Sequence, residues 1–321
     1  MLRSCFSHWV MISHLALDDG PHVQALGYVF PAVFHGLITG LGDELSPSLD
    51  LFRAVLQGDW SSSVQNGEYD ADLRKISGIP RVRVASMATV FGAIVARKLI
   101  ENSNVDLERL GVAVSTTTAT VDPALRFEGR GLAEGWDLVD PLLLPHTIPN
   151  AVSSQIAIAI GAKAFALTFM EGILGTLHAL ENAVLAVING RADAAVIIGA
   201  EEISALHKRA AAELGCRIQE CQGAAGLLLV KSGTKLVSKG WQVNWLARGN
   251  NLAEARKHPL FLEADNLVCS VPRGILDIAS AHRPFVDLVN LFGSRYRRGA
   301  LLAERPGGWW SAVGLSKVAS V

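Results

Sequence analysis

The chain has 321 residues, half of them hydrophobic, and a formal net charge of −1, with a mean hydropathy of +0.30. That length admits one large domain or two modest ones, and the apolar content fits strands buried on both faces. The near-zero charge, dispersed without long like-charge runs, gives no electrostatic footing for nucleic acid or an anionic membrane.

Residues 1–33 open with a basic and apolar stretch, but His8 and His14 interrupt it and no small-residue cleavage site follows. The reading is against a signal peptide, and the segment is left as an unassigned N-terminal extension. Residues 35–41 form a short apolar run ending in glycine, a strand signal. Thr39-Gly40-Leu41-Gly42 then allows a tight exit, and Ser46-Pro47 sets a helix start. Residues 60–81 read as loop. Residues 87–100 place Met87, Val90, Phe91, Ile94, Val95, Leu99 and Ile100 on one helical face. A strand follows at 110–115. Residues 121–148 hold several prolines and glycines and read as a long loop, with a helical piece around Trp136.

Helices are expected over 150–160 and 171–188. The apolar stretch 151–169 is no membrane span, because Gln155 and Lys163 interrupt it. Gly190-Arg191-Ala192-Asp193 reads as a helix-to-strand turn with Gly190 near the C-cap. Residues 194–199 carry no polar side chain, as in the middle of a sheet, and 222–231 form another apolar strand. A further strand is expected at 242–248. Strands alternating with helices imply an α/β architecture with mostly parallel pairing. The four cysteines, Cys5, Cys216, Cys221 and Cys269, form no CxxC pair. Zinc-site spacing is therefore absent, no metal or cofactor is expected, and the thiols read as reduced and mostly buried in a cytoplasmic protein.

Several of these pieces stand in a telling order. Thr39-Gly40-Leu41-Gly42 and Ser46-Pro47 lead to Phe52, Ala54, Leu56 and Gly58; Pro149-Asn150 precedes Gln155; Leu177-His178-Ala179-Leu180 precedes Gly190-Arg191-Ala192-Asp193; and Gly223-Ala224-Ala225-Gly226 opens a strand. This order resembles the β-ketoacyl synthase family. The resemblance implies a thiolase-like layered α/β/α/β/α fold. Residues 34–232 would form the synthase N-terminal-like half and 233–321 a reduced C-terminal half, the likeness being weak over 233–293. Counting back along the family's spacing puts the nucleophilic cysteine at Ile173. The family's first catalytic histidine would fall near Val271, after a strand at 264–270. Leu291-Phe292-Gly293 lies where the family has Phe-Gly, and no Gly-His pair follows for the second histidine.

Acyl condensation needs a thiolate to accept the acyl group, and a helix N-terminus lowers the thiol pKa and supplies oxyanion donors. The chain keeps glycines at that helix start, Gly172 and Gly175, and lacks the thiol. Glu171 and His282 are the substitutes to weigh. Glu171 reads more simply as a first-turn acid complementing the helix dipole, and His282 is followed by Arg283-Pro284 rather than a small-residue loop. His178 reads as a packed helix histidine and His146 as structural. Asn150 and Gln155 would lie near the substrate pocket or dimer seam, Asn150 capping its helix and Gln155 satisfying backbone groups. Three functions remain. The favoured one is a non-condensing, chain-length-factor-like partner of an active ketosynthase subunit, dimeric and acting with an acyl carrier protein in fatty-acid or polyketide biosynthesis. The others are an active 3-oxoacyl synthase or acyltransferase with displaced catalytic residues, and a truncated inactive paralogue.

Overall fold

The computed structural model describes residues 12–16, 22–24, 74–80, 84–101, 103–202, 223–231, 241–251, 264–270, 297–305 and 308–317, with residues 213, 261, 281 and 284. The expected strand at 35–41, the turn and helix start at Thr39–Gly42 and Ser46-Pro47, His282, the Val271 neighbourhood, Leu291-Phe292-Gly293, Cys5, Cys216 and Cys221 lie outside the described residues.

The strands are β1 (Ile12–Ala16), β2 (His22–Gln24), β3 (Leu110–Ser115), β4 (Phe165–Phe169), β5 (Ala194–Glu201), β6 (Gly223–Val230), β7 (Trp241–Gly249), β8 (Asn266–Ser270), β9 (Arg298–Glu304) and β10 (Trp310–Lys317). The helices are α1 (Met87–Ile100), α2 (Val121–Glu134), α3 (Ala151–Ile160) and α4 (Ile173–Ile188). The sheet runs β4-β3-β5-β6-β2-β7-β10-β9-β8, with β1 also on β7.

Along β5 the side chains alternate between two packed layers, as a two-residue period demands. Val196, Ile198 and Ala200 of β5 face α1 and α3. Ala195 and Ile197 face α4. Both faces of β5 are covered, which is why its sequence is continuously apolar. α4 also packs on Leu301, Ala303, Val313 and Leu315 of β9 and β10, so it is the middle layer between the two parts of the sheet. A cluster of Trp245, Phe261 and Trp310 covers the outer face of the second part. Val243 and Leu246 of β7 both face α4 although they are three apart. The register against β10 slips between Gly314 and Leu315, and this bulge restores the alternation.

The two parts repeat one pattern. β3 and β5 are parallel, β5 and β6 antiparallel, β6 and β2 antiparallel. Likewise β8 and β9 are parallel, β9 and β10 antiparallel, β10 and β7 antiparallel. Among the described residues, no strand stands beside β8 as β4 stands beside β3.

Three expectations are corrected. The pairing is mixed, not mostly parallel, because β6 and β10 each return against their neighbours. Residues 121–134 are helix rather than loop. Pro123 sits in the first turn, where its missing N–H is harmless, and Gly131 is where the Trp136 ring closes on the helix (a Cβ there would stand 2.4 Å from it). Ion pairs Asp122–Arg126 and Arg130–Glu134, at 2.8 and 2.9 Å, support the exposed face. Thirdly, of the thiols read as mostly buried, the one among the described residues, Cys269, is exposed. Within the unassigned 1–33 segment lie β1 and β2, and β2 pairs with both β6 and β7.

Candidate functional site

The site forms at the C-terminal ends of β3, β4 and β5, where α4 begins. In parallel α/β sheets this is the edge at which loops gather functional groups. β4 runs into Gly172, which takes φ 56 and ψ −132, and α4 starts at the next residue. Only glycine adopts that conformation without strain. A sharp strand-to-helix turn of this kind serves to lift a nucleophile above a sheet. Here the turn residue is Gly172, one position before Ile173. Gly172 has no side chain, and Ile173, 3% exposed, joins the α4 core with Leu177 and Leu180. The strained turn and the position given by counting thus differ by one residue, and neither offers a nucleophilic atom.

Close packing holds the turn. A Cβ on Gly175 would stand 2.6 Å from Ser115 Oγ, so α4 rests directly on the end of β3. The Ser115 hydroxyl lies 3.5 Å from the Gly172 carbonyl, to which it donates. The Thr176 hydroxyl donates to the carbonyl of Ala281, tying α4 to the second part of the chain.

Behind the turn lies a pair of buried acids that the sequence reading missed, Glu201 and Glu202. Glu201 Oε2 accepts from the Thr118 hydroxyl at 2.6 Å and the Thr118 amide at 3.0 Å, and Oε1 accepts from the Thr117 amide at 2.8 Å. Burial raises its pKa to about 7, the hydrogen bonds opposing the shift. Glu202 Oε2 accepts from the amides of Met87 at 2.5 Å and Ala88 at 3.2 Å, closing the N-terminus of α1. Its Oε1 is buried with no partner. Burial, reinforced by Asp122, raises the Glu202 pKa to about 8. The signal was present in the sequence: an apolar strand that ends on one acid, Glu201, with a second, Glu202, directly after it.

The remaining expected site residues are placed as follows. Glu171 precedes the helix instead of lying in its first turn, and its Oε2 is 2.5 Å from His178 Nδ1. The acid therefore answers the histidine two turns along rather than the helix dipole. Asn150 occupies the N-cap position of α3 without a side-chain cap bond, because its backbone is already helical (φ −71, ψ −8). Gln155 Oε1 is buried and satisfies no backbone group. His146 is buried, and burial, then Arg126, lowers its pKa. Gly190 follows the C-cap with φ 69, as expected of the turn. Among the described residues no group of three or more His, Cys, Asp or Glu gathers to hold a metal, and no helix is long and apolar enough to cross a membrane.

No family model matches the chain, and no curated protein sequence matches it. Solved structures do. A ketosynthase/chain length factor of ishigamide superposes with TM-score 0.60 at 15% identity, over 77% of this chain and 85% of that one. A type II polyketide ketosynthase, solved with its acyl carrier protein and bound to the hexaketide, gives 0.61 at 17% identity, over 74% and 86%. A β-ketoacyl synthase from Burkholderia phymatum gives 0.55 at 10% identity, over 74% and 85%. The chain has the layered thiolase-like fold of the ketosynthases.

Proposed function

We propose that this protein is a non-condensing, chain-length-factor-like partner of an active ketosynthase, working with an acyl carrier protein in fatty-acid or polyketide biosynthesis. The observation that carries the reading is the β4–Gly172–α4 turn. It has the form of a nucleophile-bearing turn, while glycine and a buried isoleucine occupy the two positions a thiol would need. Without a thiolate no acyl group is accepted. What such a chain contributes is shape: a wall for a partner's growing acyl chain.

The edge of the sheet supports a partner. Among the described residues β4 pairs only with β3. Its sequence FALTF has no charge or proline to blunt the edge. Leu167 and Met170 are exposed on and just after it, and Ile158 on the neighbouring α3. In this reading the seam with the partner runs along β4 and α3, which puts Asn150 and the unsatisfied Gln155 beside it.

Co-expression with a cysteine-bearing ketosynthase tests the proposal. The expected result is a one-to-one complex that condenses acyl groups, while this chain alone forms no product. A stable homodimer that condenses by itself overturns it.

A further inference from the structure

At the opposite end of β3 and β4 from Gly172, a half-open cleft of about 540 Å³ lies between the C-terminal ends of α1 and α3 and the 103–107 segment. The volume is that of a small-molecule site. Its lining joins an apolar set, Ile76, Ile94, Val105, Leu107 and Ile160, to a polar one, Arg97, Lys98, Glu101 and Ser103. Ile76 and Leu107 remain 39% exposed there.

One cation at this wall, the exposed Arg97, stands beside a tight backbone turn. Arg97 lies across the backbone of Gly78, so close that a Cβ on Gly78 would stand 2.1 Å from Arg97 Nη1. Gly78 also takes φ 71, which other residues rarely adopt. Lys98 is bonded to Glu101 at 2.7 Å, so those two charges answer each other. Among the described residues Arg97 has no carboxylate partner. A planar guanidinium is suited to paired hydrogen bonds with one carboxylate.

We propose that this cleft binds an aliphatic carboxylate of medium chain length, its chain along Ile94, Val105 and Ile160 and its head on Arg97. The inference does not depend on the reading of the Gly172 turn.

Decanoate titrated calorimetrically into the full chain tests it. Saturable binding is expected, weakened at least tenfold by Arg97→Met and by Ala159→Phe, which fills the cleft, but changed less than twofold by Lys98→Met. Decyltrimethylammonium, with the same tail and a cationic head, is expected to bind at least tenfold more weakly than decanoate. Thermal melts of each variant confirm folding, and Leu107→Trp replaces Ala159→Phe as the filling variant if the latter unfolds. No decanoate binding, equal binding of the two head groups, or unchanged affinity in Arg97→Met overturns the proposal.

Discussion

Glu202 Oε2 accepts the amide hydrogen of Met87 at 2.5 Å, so the residue just past β5 caps the first residue of α1 across 115 positions of sequence. Its neighbour Glu201 does the same for the 116–118 loop that leads to α2. One dipeptide therefore fixes two of the segments around the end of the sheet.

These acids make stability depend on pH. The folded chain holds their protons up to about 7 for Glu201 and about 8 for Glu202, against an ordinary value of 4.5. Between 4.5 and those values the folded state binds more protons than the unfolded one. Stability is therefore full at the acid end and falls as the pH rises through 7 to 8, by an amount on the order of several kcal/mol. Glu202→Gln keeps an acceptor for Met87 without the charge. In urea melts from pH 5 to 9 it is expected to lie within about 1 kcal/mol of wild type at pH 5 and above it at pH 9. Glu202→Ala, which strips the cap from α1, is expected to cost about 1–3 kcal/mol at pH 6.

The contact between Gly175 and Ser115 sets how closely α4 approaches β3. Gly175→Ala forces a methyl against Ser115 Oγ and is expected to cost about 1–3 kcal/mol. Ser115→Ala removes the atom it strikes. The double variant is expected to recover about 1 kcal/mol or more, a coupling that denaturant melts of the four proteins in the cycle measure.

Gly172→Ala places a side chain at φ 56, and a loss of about 1–3 kcal/mol is expected. Ile173→Cys is expected to fold, to react with a thiol reagent only after denaturation, and to yield no condensation. The native isoleucine is buried in the α4 core, and burial there shields the thiol and opposes the thiolate that the start of α4 would favour.

Leu167→Lys changes an exposed position on β4, which among the described residues pairs only with β3. Its melting temperature is expected to stay within about 2 °C of wild type, while the affinity for a ketosynthase partner falls at least tenfold. Size-exclusion chromatography of the mixture reads the second effect and calorimetry of the chain alone reads the first.

The elements legible in the sequence were those whose burial is one-sided or complete. The helix expected at 87–100 is α1, and the strand expected at 110–115 is β3. The strand starting at 194 ran on by two residues, because Gly199-Ala200-Glu201 still pairs with β6. α2 was illegible because its glycines and proline mimic a loop, and only Trp136 folding back on Gly131 shows why they are there. β4 was hidden in the apolar stretch after α3, where five residues give no period of their own. β9 and β10 lay where the family resemblance had faded. At the site, counting from Leu177 and His178 gives Ile173, the first residue of α4, beside the Gly172 turn. Glu201 and Glu202 went unread because their partners, Thr118 and Met87, are more than eighty residues away.

Intact-mass spectrometry of this chain and a cysteine-bearing ketosynthase, after joint incubation with an acylated carrier protein, decides which of the two carries the acyl group. The account expects one acyl group on the ketosynthase and none on this chain, whether the two are mixed or apart. An acyl adduct on this chain, removed by hydroxylamine, would contradict it.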